Sequence, residues 1–163
     1  MTAERDATKD TPAIREVAAS GVPFRVVRTE RAGSAEESAQ LQGIEIGQLI
    51  RSIVVRRAAD DYVFVLVPGG RQIAWARLRA HLRVSRLYLP DQDEARDATG
   101  YERGTITPFA SSTRWPVVAD ATIAVRDVVA IGAGAHGVSL HLDPADLVSL
   151  VHADLADVTN RAG

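Results

Sequence analysis

The sequence predicts an α+β fold, a single domain with a mixed, largely antiparallel β-sheet and flanking helices. Three observations carry this. Two β-rich runs, "GQLIRSIVVRR" and "DYVFVLVPGG", are separated only by "AAD", the spacing of a hairpin. Helical and strand patterns are interspersed, without the regular alternation of a doubly wound sheet. No repeat, low-complexity linker or shift of composition divides the 163 residues.

Each element has a local reason. Residues 1–11 are polar and are expected to form a flexible tail, leaving residues 12–160 as the domain. "PAIREVAASG" reads as a short helix ended by Gly21, and "PFRVVRTE" as a strand. Ser34 with Glu37 is a capping box that starts a helix stopping at Gly43. After the hairpin, "IAWARLRAHL" places Ile73, Ala76, Leu78 and Leu82 at helical spacing. Asp91 with Glu94 opens another helix that ends near Gly100. "WPVVAD", "RDVVAIG" and "HGVSLHL" read as strands, Asp143 and Pro144 as the N-cap and first residue of the last helix, and "ADLADVT" as a final strand.

Composition narrows the function classes. With 46% hydrophobic and 25% charged residues, the chain suits an ordinary globular domain. A net charge of −2 argues against a general polyanion binder, though not against a local basic pocket. The absence of cysteine removes disulfides, thiol nucleophiles and Cys-ligated zinc. No apolar run approaches the ~20 residues of a membrane span, and the charged start is unlike a secretory signal. A cytoplasmic protein without membrane contact is expected. Lys9 is the only lysine.

Few residues carry a chemical signature. His81, His136, His141 and His152 lack metal-ligand spacing, so no metal or cofactor is expected. Ser111–Ser112 lacks the setting of a hydrolase nucleophile. "GAGAHG" joins two strands, so the helix N-terminus that a dinucleotide fold uses for phosphate is missing. What remains is Arg51 inside the apolar run "QLIRSIVV", and two glycine-bearing turns, "GTITP" (104–108) and "GAGAHG" (132–137). Such turns can aim backbone N–H groups at an oxyanion, or can simply be tight turns. Arg51 shares a strand face with Leu49, Ile53 and Val55, while Ile50, Ser52 and Val54 share the other. A guanidinium there either lines a polar cleft or forms a buried pair with a carboxylate such as Asp120.

The ordered blocks "LIRSIVV", "TGYERGTITP", "WPVVAD", "GAGAHG" and "LDPADL" resemble the YbaK/prolyl-tRNA-synthetase editing-domain family, over about residues 34–159. The resemblance implies a mixed sheet or barrel with flanking helices. It implies a stand-alone hydrolase that deacylates mischarged aminoacyl-tRNA, with the RNA 3′ end as partner and a synthetase as a further candidate. Water activation would come from the substrate's own ribose hydroxyl. At the family's lysine position stands Arg51, which keeps the charge and offers a bidentate fork. The catalytic set implied is Arg51, Gly104, Thr105 and Ile106. The substrate-binding set is Tyr101, Thr107, Pro108, Asp120, Gly132, Gly134 and His136. For Asp120 the alternatives are orienting Arg51 or ending a strand. Tyr101 and Phe109 either stack on the terminal adenine or pack in the core, and Trp115 is read as a packing residue. Arg71, Arg77, Arg79 and Arg83 are read as a solvated helix face, with an RNA-contacting patch as the alternative. The alternative to the enzyme is a non-catalytic module that binds aminoacyl-tRNA or a nucleotide in the same pocket.

Overall fold

The computed structural model describes residues 11–162. All of the expected tail except Thr11, and Lys9 with it, lies outside them. Helix α1 (Pro12–Ser20) is capped by the Thr11 hydroxyl, which accepts from the Ile14 N–H, and ends at Gly21. It buries Ala13, Ile14 and Val17. Strand β1 (Phe24–Arg28) follows. Helix α2 (Ala35–Gln42) starts on the Ser34 hydroxyl and ends at Gly43. Only half of the expected capping box forms. Glu37 accepts from Gly33 N–H at 2.6 Å, one residue before the cap.

The hairpin is β2 (Leu49–Ala58) and β3 (Asp61–Pro68), paired antiparallel. Next come β4 (Arg71–Ile73), α3 (Trp75–Leu82) and α4 (Gln92–Thr99), the last opened by Asp91 as expected. Then follow β5 (Val117–Asp120), β6 (Val129–Gly132), β7 (Val138–Leu142) and α5 (Pro144–Leu150). The single final strand expected is two short ones, β8 (Asp154–Ala156) and β9 (Thr159–Arg161). They lie in different sheets.

Seven strands form one sheet in the order β1-β7-β6-β2-β3-β5-β8, and β4 pairs with β9 in a second. The β1–β7, β6–β7, β2–β3 and β4–β9 pairings are antiparallel, and β2–β6, β3–β5 and β5–β8 are parallel. A mixed, mostly antiparallel sheet therefore holds. The expected barrel does not, because the end strands β1 and β8 do not pair. β8 spans three residues, and Asp154 and Leu155 on it are exposed, so it leaves an open edge instead of a closing ladder.

Both faces of the hairpin are apolar because both are covered. On one, Ile50, Val54, Phe64 and Leu66 pack with α1 and with Leu147 of α5. On the other, Val55, Val63, Val65 and Val67 pack with Ile73 and with Leu78 of α3. One feature of β2 sets up the site. It pairs with β6 only through Leu49–Ala130 and Ile50–Ile131, and the two strands then part. β2 next meets a partner on that side at Arg56, which bridges Tyr88. No helix among the described residues is long and apolar enough to cross a membrane.

Candidate active site

A cavity of about 880 Å³ opens where β2 leaves β6. Residues 49–54 of β2 line it, together with 103–106, Gly132, 135–139, the β1–α2 loop and Leu89–Gln92. Backbone polar groups alternate sides along a strand. The Arg56 N–H and C=O bond to Tyr88 on the cavity side, so those of Val54 and Ser52 face the same gap.

The two glycine turns meet here. Gly104 has φ +91°, and a Cβ on it would lie 3.0 Å from His136 Cε1. Gly134 has φ +90°, and a Cβ there would lie 2.9 Å from Tyr101 Cε1. Side chains rarely adopt such φ, so both positions favour glycine for conformation and for space. A bond of 2.9 Å between His136 Nε2 and Glu102 Oε1 joins the turns. Thr29 N–H donates to the Gly137 carbonyl at 2.9 Å, which ties the β1–α2 loop to the same place.

Not every expected site residue reaches the main cavity. Arg51, Gly104, Thr105, Ile106, Gly132 and His136 line it. Tyr101 and Gly134 instead line a shallower recess that shares Thr105 and His136. Thr105 is committed. Its N–H and its hydroxyl both donate to the Glu102 carbonyl, at 3.0 and 2.8 Å. The N–H groups of Gly104 and Ile106 have no partner among the described residues. Thr107 and Pro108 are buried and, with fully buried Phe109, anchor the turn in the core. Tyr101 donates to the Phe109 carbonyl, and its burial, with Glu16 adding to it, pushes the phenol up to about 12. Tyr101 and Phe109 are packing residues, not exposed stacking platforms. Trp115 packs edge-on against Tyr62, centroids 5.1 Å apart, as expected.

Arg51 sits opposite Val67, on the face covered by β4 and α3. Its Nη2 donates to the Arg71 carbonyl on β4. Its Nε is buried with no partner. Burial lowers the guanidinium pKa, and the Glu36 carboxylate works against that. The side chain is thus in no close ion pair among the described residues, but one of its donors is turned toward β4. Ser52 stands on the opposite face, with Leu66, where Ile106 and Ala133 also pack. Its hydroxyl is buried without a partner. Nothing local in the sequence signals this orphan, nor that the β1–α2 loop forms a wall.

Asp120 lies outside the cavity lining and is 1% exposed. It accepts from Thr122 N–H and Val158 N–H, each at 3.1 Å, and from the Thr122 hydroxyl. Burial alone would raise its pKa. The hydrogen bonds from Thr122, Thr159 and Val158 outweigh it and hold the carboxyl below its ordinary 3.8. The expected arginine patch divides. Arg71 bonds to Thr159 Oγ1 at 2.6 Å, and Arg77 to Asp157, Thr159 and Asn160. Neither Arg79 nor Arg83 has a side-chain partner among the described residues.

The sequence matches the family model of the aminoacyl-tRNA editing domain over residues 29–150. It is 25% identical to the "Putative Cys-tRNA(Pro)/Cys-tRNA(Cys) deacylase" of Enterococcus faecalis, over 98% of this chain and 99% of that one. It is 27% identical to a multifunctional Ser/Thr-tRNA deacylase of Escherichia coli K12, over 87% of each. A crystal structure described as a trans-editing enzyme candidate for prolyl-tRNA synthetase shares the fold, with TM-score 0.82 and 23% identity, covering 93% of this chain and 99% of that one. The motif order, the cavity and the match over residues 29–150 agree: the chain belongs to the aminoacyl-tRNA editing domain family.

Proposed function

We propose that this protein is a stand-alone hydrolase that removes the amino acid from mischarged tRNA in the cavity between β2 and β6. The observation that carries the reading is that Arg51, Gly104 and Gly132 all line one cavity, in a chain that belongs to an editing family. The relatives it covers almost end to end carry deacylase names.

Hydrolysis of an aminoacyl ester needs three things: a held ester, a water aligned on its carbonyl, and donors for the oxyanion. The unpartnered N–H groups of Gly104 and Ile106 are the donors, each expected to contribute about 2–4 kcal/mol to the transition state. Thr105 drops out because the Glu102 carbonyl already takes its N–H. Arg51 holds a phosphate or ribose oxygen through the terminal guanidinium donors not spent on Arg71. It cannot act as a base, since a guanidinium stays protonated. His136 closes the wall across Gly104. No Ser/His/Asp set is required, because the ribose hydroxyl beside the ester can carry the water's proton.

The test is release of amino acid from a panel of mischarged tRNAs (Cys, Ser, Thr and Ala on non-cognate tRNAs), run beside Gly104→Val. Release above the buffer rate from at least one substrate, lost in the variant, is expected. A second reading, a binding module without turnover, is favoured by one observation: Arg51, where the resemblance leads one to expect lysine, donates to the Arg71 carbonyl. Binding of the panel without release would establish that reading instead.

A further inference from the structure

We infer that Arg31 and Arg103 hold the phosphodiesters just before the terminal adenosine, so that the protein takes its RNA by the single-stranded 3′ end. The inference rests on the proposed function and deepens it.

Several arginines elsewhere in the fold are committed to carboxylates, among them Arg56 to Glu94, Arg57 to Asp61, Arg114 to Glu16 and Arg126 to Glu45. Arg79 and Arg83 are without a side-chain partner among the described residues but lie outside the cavity lining. Arg31 and Arg103 differ. Both are exposed and both line the cavity. Neither makes an ion pair or a side-chain hydrogen bond among the described residues. Glu102, the carboxylate beside Arg103, is engaged by His136 instead.

Their positions are fixed from two sides of one turn. Arg31 is two residues from Thr29, whose N–H is bonded to Gly137. Arg103 adjoins Gly104, which packs under His136. Charge is concentrated here. Arg31, Arg51 and Arg103 line the cavity, and the sole lining carboxylate among the described residues, Asp91, is taken up as the cap of α4. A chain of net charge −2 thus sets two exposed, unpaired guanidinia, Arg31 and Arg103, at one mouth. Such a field attracts a polyanion and sets its register without reading sequence. Two exposed guanidinia flanking a pocket fit the end of a strand entering it, more than a duplex lying across it. Arg79 and Arg83 on the α3 side do not line the cavity and serve as the control.

The probes are a 5′-labelled CpCpA trinucleotide, whose binding is followed by fluorescence anisotropy, and two substrates, aminoacyl-CpCpA and aminoacyl-adenosine. Arg31→Ala/Arg103→Ala is compared with Arg79→Ala/Arg83→Ala. The cavity pair should weaken CpCpA binding at least tenfold. It should raise KM for aminoacyl-CpCpA about tenfold more than for aminoacyl-adenosine. It should also flatten the slope of log affinity against log salt by roughly 1.4, about 0.7 for each single-strand phosphate left without its arginine. The α3 pair should match wild type. Unchanged CpCpA binding in the cavity pair, equal loss on both substrates, or a loss found only in the α3 pair would overturn the inference. CpCpA binding needs no turnover, so a protein that binds through these arginines and hydrolyses nothing would fail the proposed function while sustaining this inference.

Discussion

Replacing Asp120 with alanine separates a structural brace from a substrate ligand. The carboxylate is 1% exposed and accepts from the backbone N–H groups of Thr122 and Val158, each at 3.1 Å. It also takes the Thr122 hydroxyl. Val158 is fully buried, so its N–H would have no water to turn to. Hydrogen bonds to a charged acceptor contribute about 1.5–3 kcal/mol each. Two stranded backbone donors therefore put the loss at about 3–5 kcal/mol, a large fraction of the ~5–15 kcal/mol that holds a domain together. With a urea slope of about 2 kcal/mol/M, the midpoint should fall by roughly 2 M. Asp120→Asn keeps the shape but turns its amide nitrogen toward at least one donor, so about half that loss is expected. The pH limb gives a second check. The folded carboxyl lies below its ordinary 3.8, so its contribution is complete above that value and fades as pH falls through the folded one. The asparagine variant should lack this acid-side decline. A midpoint shift under about 0.3 M at unchanged slope would refute the brace, being only ~0.6 kcal/mol. So would an asparagine variant that folds normally and yet loses activity a hundredfold.

Three further outcomes follow from the same geometry. Ser52→Ala removes a buried hydroxyl that has no partner, so denaturation should show stability unchanged or higher by about 1 kcal/mol. A loss above 1 kcal/mol would mean that the hydroxyl is satisfied in the folded protein. Gly134→Ala adds a Cβ 2.9 Å from the Tyr101 ring at φ +90°, and Tyr101 is held by its bond to Phe109. It should lower stability by about 1–3 kcal/mol in the same assay. His141 is 5% exposed and bonds to Gln42 Oε1 at 2.8 Å. Burial, with the Arg25 charge adding to it, lowers its pKa from 6.5. The folded state thus favours the neutral ring. Stability should be full above pH 6.5, decline as pH falls from there to the folded value, and then level off. His141→Gln should remove that decline in melting scans run from pH 7.5 to 5.

Much of the fold is legible in the sequence because its signals are local. Ser34, Asp91 and Asp143 accept the first-turn N–H groups of their helices as their sequence positions imply, and Gly21, Gly43 and Gly100 end three helices in the left-handed conformation, whereas the Thr11 cap falls in what reads as tail. The long hairpin shows through its unbroken apolar runs. β4 does not show, nor does the division of the expected last strand into β8 and β9, because three residues such as "RQI" or "TNR" carry no periodicity and pair only through distant partners. The site divides the same way. Alternation along β2 correctly sets Arg51 and Ser52 on opposite faces, and the order of the glycine turns marks the cavity wall. Which carbonyl draws the guanidinium depends on β4, so the bond to Arg71 could not be read from Arg51's neighbours in sequence. Asp120 looks like a site residue because it ends a strand in a motif. Its role is set by Val158, 38 residues away.

The central claim is that Arg51 grips the substrate in the cavity between β2 and β6. Single-turnover release of amino acid from one accepted mischarged tRNA, measured for wild type, Arg51→Lys and Arg51→Ala, tests it most directly. The lysine variant should stay within about tenfold of wild type, or ~1.4 kcal/mol, and the alanine variant should fall at least a hundredfold. An alanine variant that releases amino acid at the wild-type rate would contradict the account. So would a wild type that is inert until lysine is introduced.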